Sequence, residues 1–170
     1  MKKILIVLSL IMSMVMFASC GNGNAAEKHD FRNVDFGMTA AELIAAEGEP
    51  DQQLSDDMYT YLDREVYGIP HTTLKYEIDE SGLWSIRAIF TNEYSDDKQY
   101  ITEYNTIKEN FTKEWGKPEV ISEDESRFSF KCFWNNNPLV LSKTDDGKIM
   151  FQFTAWSPAF YEQITSSSAP

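Results

Sequence analysis

Along this chain apolar residues alternate with polar ones in six short runs and return every third or fourth position in one long run. The alternating runs, at about residues 58–67, 72–79, 83–91, 127–134, 139–143 and 148–156, predict β-strands with one buried face. Turn-forming clusters separate them: Gly68-Ile69-Pro70, Glu80-Ser81-Gly82, Asn135-Asn136-Asn137-Pro138 and Asp145-Asp146-Gly147. The long run places Ile101, Tyr104, Ile107, Phe111 and Trp115 on one stripe of a helix. Ser95, with Asp96 and Asp97, supplies a cap and two acids at its positive end. A shorter helix starts at the capping box of Thr39 and Glu42, ahead of Leu43 and Ile44. Each helix stops at a Gly-x-Pro, in Glu47-Gly48-Glu49-Pro50-Asp51 and again in Trp115-Gly116-Lys117-Pro118-Glu119. This recurrence predicts an α+β fold of two tandem helix–three-strand units, with helices packed on one face of an antiparallel sheet. The units span residues 31–94 and 95–164, joined edge to edge, and residues 165–170 form a frayed tail.

A different pattern opens the chain. Lys2 and Lys3 lead an apolar and small-residue run from Ile4 to Ala18, shorter than the ~20 apolar residues a membrane span needs. A basic start, a short apolar stretch and a small-residue end describe a secretory leader, residues 1–19. Phe17-Ala18-Ser19-Cys20 resembles the lipobox of bacterial lipoproteins, with Phe17 where that family usually has Leu. The resemblance implies that Cys20 is acylated and heads the mature chain; the other reading is an ordinary secretory signal cut near Ala26. Residues 20–30, with no apolar periodicity, read as a flexible tether. The expected location is outside the cytoplasm, lipid-anchored to the outer membrane or to the outer leaflet of the cell membrane.

Phe36-Gly37-Met38-Thr39, then Glu42-Leu43 and Gly48-Glu49-Pro50, resembles the start of the BamE (SmpA/OmlA) family of small outer-membrane assembly lipoproteins. Tyr59-Thr60-Tyr61, Thr73-Leu74-Lys75-Tyr76 and Ser81-Gly82-Leu83 continue the likeness, over about residues 34–91. A tandem of such units is similar to the β-lactamase-inhibitor protein fold, in which a sheet grips a partner. The resemblance implies a fold and an envelope setting. It carries over no partner-binding residue, because these glycines, threonines and prolines start and stop a helix.

Alternation assigns Leu74, Tyr76, Ile78, Trp84, Ile86, Ala88 and Phe90 to the helix-covered side of the sheet. In the second copy it assigns Phe128, Phe130, Cys132, Ile149, Phe151 and Phe153 to that side. The opposite side then carries Tyr59, Tyr61, Lys75, Arg87, Lys131, Phe133, Met150 and Trp156. Aromatic, Met and Arg side chains anchor protein interfaces, so these eight are the candidate binding face. The bland alternative is that they are scattered surface aromatics, since cross-strand aromatic pairs stabilise a sheet by themselves.

Charge narrows the partners. The chain carries a formal net charge of −12, and its leader contributes two lysines and no acid. Such a surface repels phosphate backbones, which excludes nucleic acid, and favours solubility or a basic partner. Cys132 is the sole cysteine beyond Cys20 and reads as a buried thiol. His29 and His71 are the only histidines, and neither stands in a metal-ligand spacing. No nucleophile elbow or Gly-rich phosphate loop occurs. The acids at Asp56-Asp57, Asp79-Glu80, Asp96-Asp97, Glu123-Asp124-Glu125 and Asp145-Asp146 fall at turns and helix starts, where solvated acids are ordinary. The expectation is a non-enzymatic, lipid-anchored interaction domain without cofactor or metal, whose partner is a protein or envelope component. A small-ligand-binding lipoprotein and an envelope hydrolase using turn carboxylates are the alternatives.

Overall fold

The computed structural model describes residues 29–166, and its first helix begins where the Thr39–Glu42 pair predicts. Thr39 accepts from the Glu42 backbone N–H, while the Glu42 carboxylate accepts from the Thr39 N–H at 2.8 Å, so both halves of the capping box are formed. This helix, α1 (Ala40–Glu47), ends at Gly48 with φ 86°, whose N–H reaches back to the Ile44 carbonyl. The long helix α2 (Asp97–Trp115) ends the same way, at Gly116 with φ 85° bonded to the Thr112 carbonyl. Both glycines adopt backbone angles that a side chain would strain, and the proline two places on prevents the helix from continuing. A second likeness joins the two stops. The Tyr61 hydroxyl donates to the Gly48 carbonyl at 3.0 Å, and the Trp134 indole donates to the Gly116 carbonyl at 2.8 Å. Each helix end is thus tied to an aromatic residue on the sheet. The cap of α2 is Asp96, whose carboxylate accepts from Lys98 N–H; Ser95 lies outside the helix.

The strands are β1 (Gln52–Ser55), β2 (Met58–Val66), β3 (Ile69–Asp79), β4 (Gly82–Phe90), β5 (Glu119–Asp124), β6 (Ser129–Trp134), β7 (Asn137–Lys143) and β8 (Ile149–Trp156). A third helix, α3 (Pro158–Ser166), follows β8. All eight strands form one antiparallel sheet in the order β1-β2-β3-β4-β8-β7-β6-β5. This overturns the expected two helix–three-strand units: the chain builds a single sheet, with four strands after each of the first two helices and a further helix at the end. The strands missed by the apolar pattern are the two edges. β1 is exposed at every position and β5 at most, so neither carries the alternation that marks a half-buried strand. At the centre β4 pairs with β8, setting Ile86 opposite Ala155 and Ala88 opposite Phe153. The core is therefore continuous across the middle of the sheet rather than divided between halves.

α1 and α2 cover one face. Leu43 of α1 is buried, as are Tyr104, Ile107 and Phe111 of α2. Phe111 packs against Phe153, Trp134 and Trp115 with ring centroids 4.6, 5.3 and 4.4 Å apart. Phe31, ahead of α1, stacks on Phe153 at 5.7 Å. His29 and Asp30, expected in the tether, are held to the body: His29 Nδ1 lies 2.9 Å from the Asp35 carboxylate, and Asp30 accepts from Phe36 N–H at 2.9 Å. The start of β4 lies hard against the Phe36–Met38 segment, with Gly37 N–H donating to the Leu83 carbonyl at 2.8 Å and Leu83 N–H to the Met38 carbonyl at 2.7 Å. At Gly82, φ is 97°, and a Cβ would sit 2.2 Å from the Gly37 oxygen. Only glycine fits there.

Candidate functional site

The face opposite α1 and α2 is built from alternate positions of eight strands, and register decides which side chains it holds. In an antiparallel pair, residues directly opposite one another share a face. Tyr59 stands opposite Tyr76, and Tyr61 opposite Leu74. Both tyrosines therefore lie on the helix-covered side and are buried, and Tyr61 meets Tyr76 edge-on at 5.6 Å. Their expected place on the candidate binding face is wrong by one residue of register, which in a strand exchanges the two faces. The local sequence Tyr-Thr-Tyr-Leu cannot decide the matter, because both alternating sets contain apolar residues. Trp84 is also displaced. A bulge sets Glu77 opposite Ser85 and Ile78 opposite Leu83, so Trp84 is the extra residue and packs on Phe160 of α3 at 4.3 Å instead of under the helices.

Five of the remaining candidates lie on the open face away from its end. Lys75 and Arg87 are directly opposite each other on β3 and β4, in a row that runs Thr60–Lys75–Arg87–Thr154 across four strands. Like charges directly opposite across a ladder repel. Arg87 reaches the Glu77 carboxylate at 3.9 Å, but its Nε is buried with no hydrogen-bond partner. The Thr60 hydroxyl beside this pair is buried and unpartnered as well. Lys131 and Phe133 sit two apart on β6, with the Lys131 ammonium 5.0 Å from the Phe133 ring centre. Met150 is exposed, and Ser142 stands opposite it on β7.

Trp156 stands at the end of this face, where β8 passes into α3, and it lines a cavity of about 520 Å³. The cavity walls come from four places: His29, Asp30 and Phe36 before α1, Trp115 at the end of α2, the β6–β7 turn, and Tyr161 and Glu162 of α3. That turn is a two-residue hairpin loop, Asn135-Asn136, between the paired residues Trp134 and Asn137. Its φ values of 47° and 71° are the left-handed pair that asparagine tolerates best among residues with side chains. Asn137 accepts from Trp156 N–H at 3.1 Å, tying the turn to β8. Sequence reasoning found the turn and Trp156 but missed Phe36, Tyr161 and the cavity that joins them. The detectable signal was the pair of aromatic residues in Pro158-Ala159-Phe160-Tyr161, which follow the last alternating run and lie ahead of the frayed tail.

Cys132 is buried, accepts a hydrogen bond from the Tyr104 hydroxyl at 3.2 Å, and has its thiol pKa pushed up by burial. His71 lies on β3, exposed and 2.6 Å from the Asp63 carboxylate. Among the described residues no group of three His, Cys, Asp or Glu could hold a metal ion. No helix among them is long and apolar enough to cross a membrane. Cys20, the expected lipidation site, lies outside the described residues. Comparisons with protein-family models, with curated proteins and with solved structures found no match for this chain.

Proposed function

We propose that this protein is a non-enzymatic interaction domain, anchored outside the cytoplasm through a lipid on Cys20, that docks a protein partner on the open face of its sheet. The carrying observation is the opposed Lys75–Arg87 pair with its unmatched Arg87 Nε. Two cations placed side by side on a strongly acidic protein destabilise the isolated sheet, and an incoming carboxylate relieves that repulsion. The partner surface is therefore acidic where it meets this row, with apolar side chains set to meet Phe133 and Met150. Net charge alone left solubility or a basic partner open; this reading rests instead on the local charge of the row that would face the partner. The lipobox-like Phe17-Ala18-Ser19-Cys20 and the BamE-like run over residues 34–91 support an envelope location.

The test is affinity capture from envelope extracts with the full chain, beside the double variant Lys75→Glu/Arg87→Glu. A partner recovered by the native chain, released by added salt and lost in the variant supports the reading. Equal recovery with the charge-reversed chain, whose fold is verified by circular dichroism, removes this face as the docking surface. Mass spectrometry of the mature amino terminus tests the anchor independently; an unmodified terminus away from Cys20 rules it out.

A further inference from the structure

We infer that the 520 Å³ cavity between the β6–β7 turn and α3 is a binding site for a neutral sugar ring. Its volume lies within the range of small-molecule sites. Three aromatic residues at it, Phe36, Trp156 and Tyr161, are partly exposed and stack on no other aromatic ring. Deeper in, the Trp134 indole is already committed to the Gly116 carbonyl, so this wall is rigid.

The polar part of the wall is unspent. The carboxamides of Asn135 and Asn136 make no hydrogen bond among the described residues, and neither does the Tyr161 hydroxyl. A carboxamide both donates and accepts, as a sugar hydroxyl does, so adjacent amides match a rim of adjacent hydroxyls. The C–H face of a pyranose is apolar and flat, and it fits against an aromatic ring whose face is not already stacked on another ring.

The charge of the lining excludes the nearest competitors. Two carboxylates, Asp30 and Glu162, line the cavity with no lysine or arginine, and the one histidine there, His29, is held 2.9 Å from the Asp35 carboxylate, so the lining disfavours phosphorylated or acidic sugars. An alkylammonium ion would use the rings and a carboxylate but leave the asparagine amides without partners. Asp30 already accepts from Phe36 N–H, which lowers its value to a cation. The site is separate from the Lys75–Arg87 row, sharing only the sheet end at Trp156, and stands whether or not the open face docks a protein.

The test is titration of the full chain, followed by tryptophan fluorescence and calorimetry. The probes are N-acetylglucosamine, chitobiose, maltose and galactose, with glucose 6-phosphate and tetramethylammonium as charged controls. The expected result is saturable binding of at least one neutral sugar with a dissociation constant of order 1 mM or tighter, and none of either control. Asn136→Gly keeps the left-handed turn, and even favours it, while deleting the amide. It is expected to weaken binding about tenfold with no fall in melting temperature. Trp156→Phe keeps a ring in place and is expected to retain binding while reducing the fluorescence change. Absence of saturable binding by all four sugars overturns the inference. So does tetramethylammonium binding as well as any sugar, or an Asn136→Gly variant with unaltered affinity.

Discussion

Tyr61 shows how much one residue of register is worth. Its ring is fully buried and its hydroxyl closes the end of α1 through the Gly48 carbonyl. Tyr61→Ala is therefore expected to lower stability by about 3 kcal/mol or more through a large cavity and an orphaned carbonyl, readable by urea denaturation. A variant that loses no more than a surface substitution would put Tyr61 back on the open face. Gly82 carries a second residue-scale prediction. Gly82→Ala drives a Cβ into the Gly37 backbone at a positive φ, and a loss of at least about 2 kcal/mol is expected in the same assay. Cys132 carries a third. Its buried thiol, held under Tyr104, is expected to ignore a thiol reagent in the native protein and react fully in denaturant. The Lys75–Arg87 row could be read from alternation because apolar and polar residues alternate strictly around it, in Leu74-Lys75-Tyr76 and Ile86-Arg87-Ala88; the Tyr59–Tyr61 placement could not, because β2 has apolar residues on both faces.

Helix ends were the most legible elements. A cap acts within three or four residues of itself, so Thr39, Glu42, Gly48 and Gly116 act through neighbours present in the local string. The cap of α2 was displaced by one position because Ser95, Asp96 and Asp97 are all acceptable there, and only the backbone selects Asp96. Asp96→Ala is expected to cost about 1 kcal/mol, while Ser95→Ala costs little, a contrast that thermal melts of the two variants resolve. Edge strands were illegible for the opposite reason: β1 and β5 bury little, so hydrogen bonding to β2 and β6 makes them strands, not their own apolar pattern. β5 leaves Val120 and Ile121 exposed at 45% and 57% beside an unpaired ladder. An unpaired edge with apolar side chains templates self-association. Ile121→Lys is expected to reduce light scattering on heating while leaving monomer stability within about 0.5 kcal/mol.

At the scale of the whole molecule, pH reports the fold from both sides. Asp35 is held below the ordinary 3.8 chiefly by the hydrogen bond with His29, and Asp79 by the Ser81 hydroxyl. Depressed carboxylates contribute stability that is present above their unfolded values and lost as pH falls through the folded ones. The melting temperature is thus expected to hold down to about pH 5 and drop below about pH 4. Tyrosines set the alkaline limb. Burial, with Glu47 close by, pushes Tyr61 up to about 12, and Tyr94 rises to about 12 chiefly because its hydroxyl donates to Glu103. Burial also raises Tyr67, Tyr76 and Tyr104. A raised phenol contributes stability that is complete below the ordinary value of 10.0 and lost as pH climbs through the folded one. These five should resist ionisation past that value until the protein unfolds, which phenolate absorbance against pH will show. Caps, turns and the strictly alternating strands were decided by neighbours within a few residues, and local chemistry is enough to read them. The single sheet, the burial of Tyr59 and Tyr61, and the cavity at Trp156 depend on pairings between distant segments, β4 with β8 above all. Register and long-range pairing are chosen by the total burial they achieve, which no local window contains.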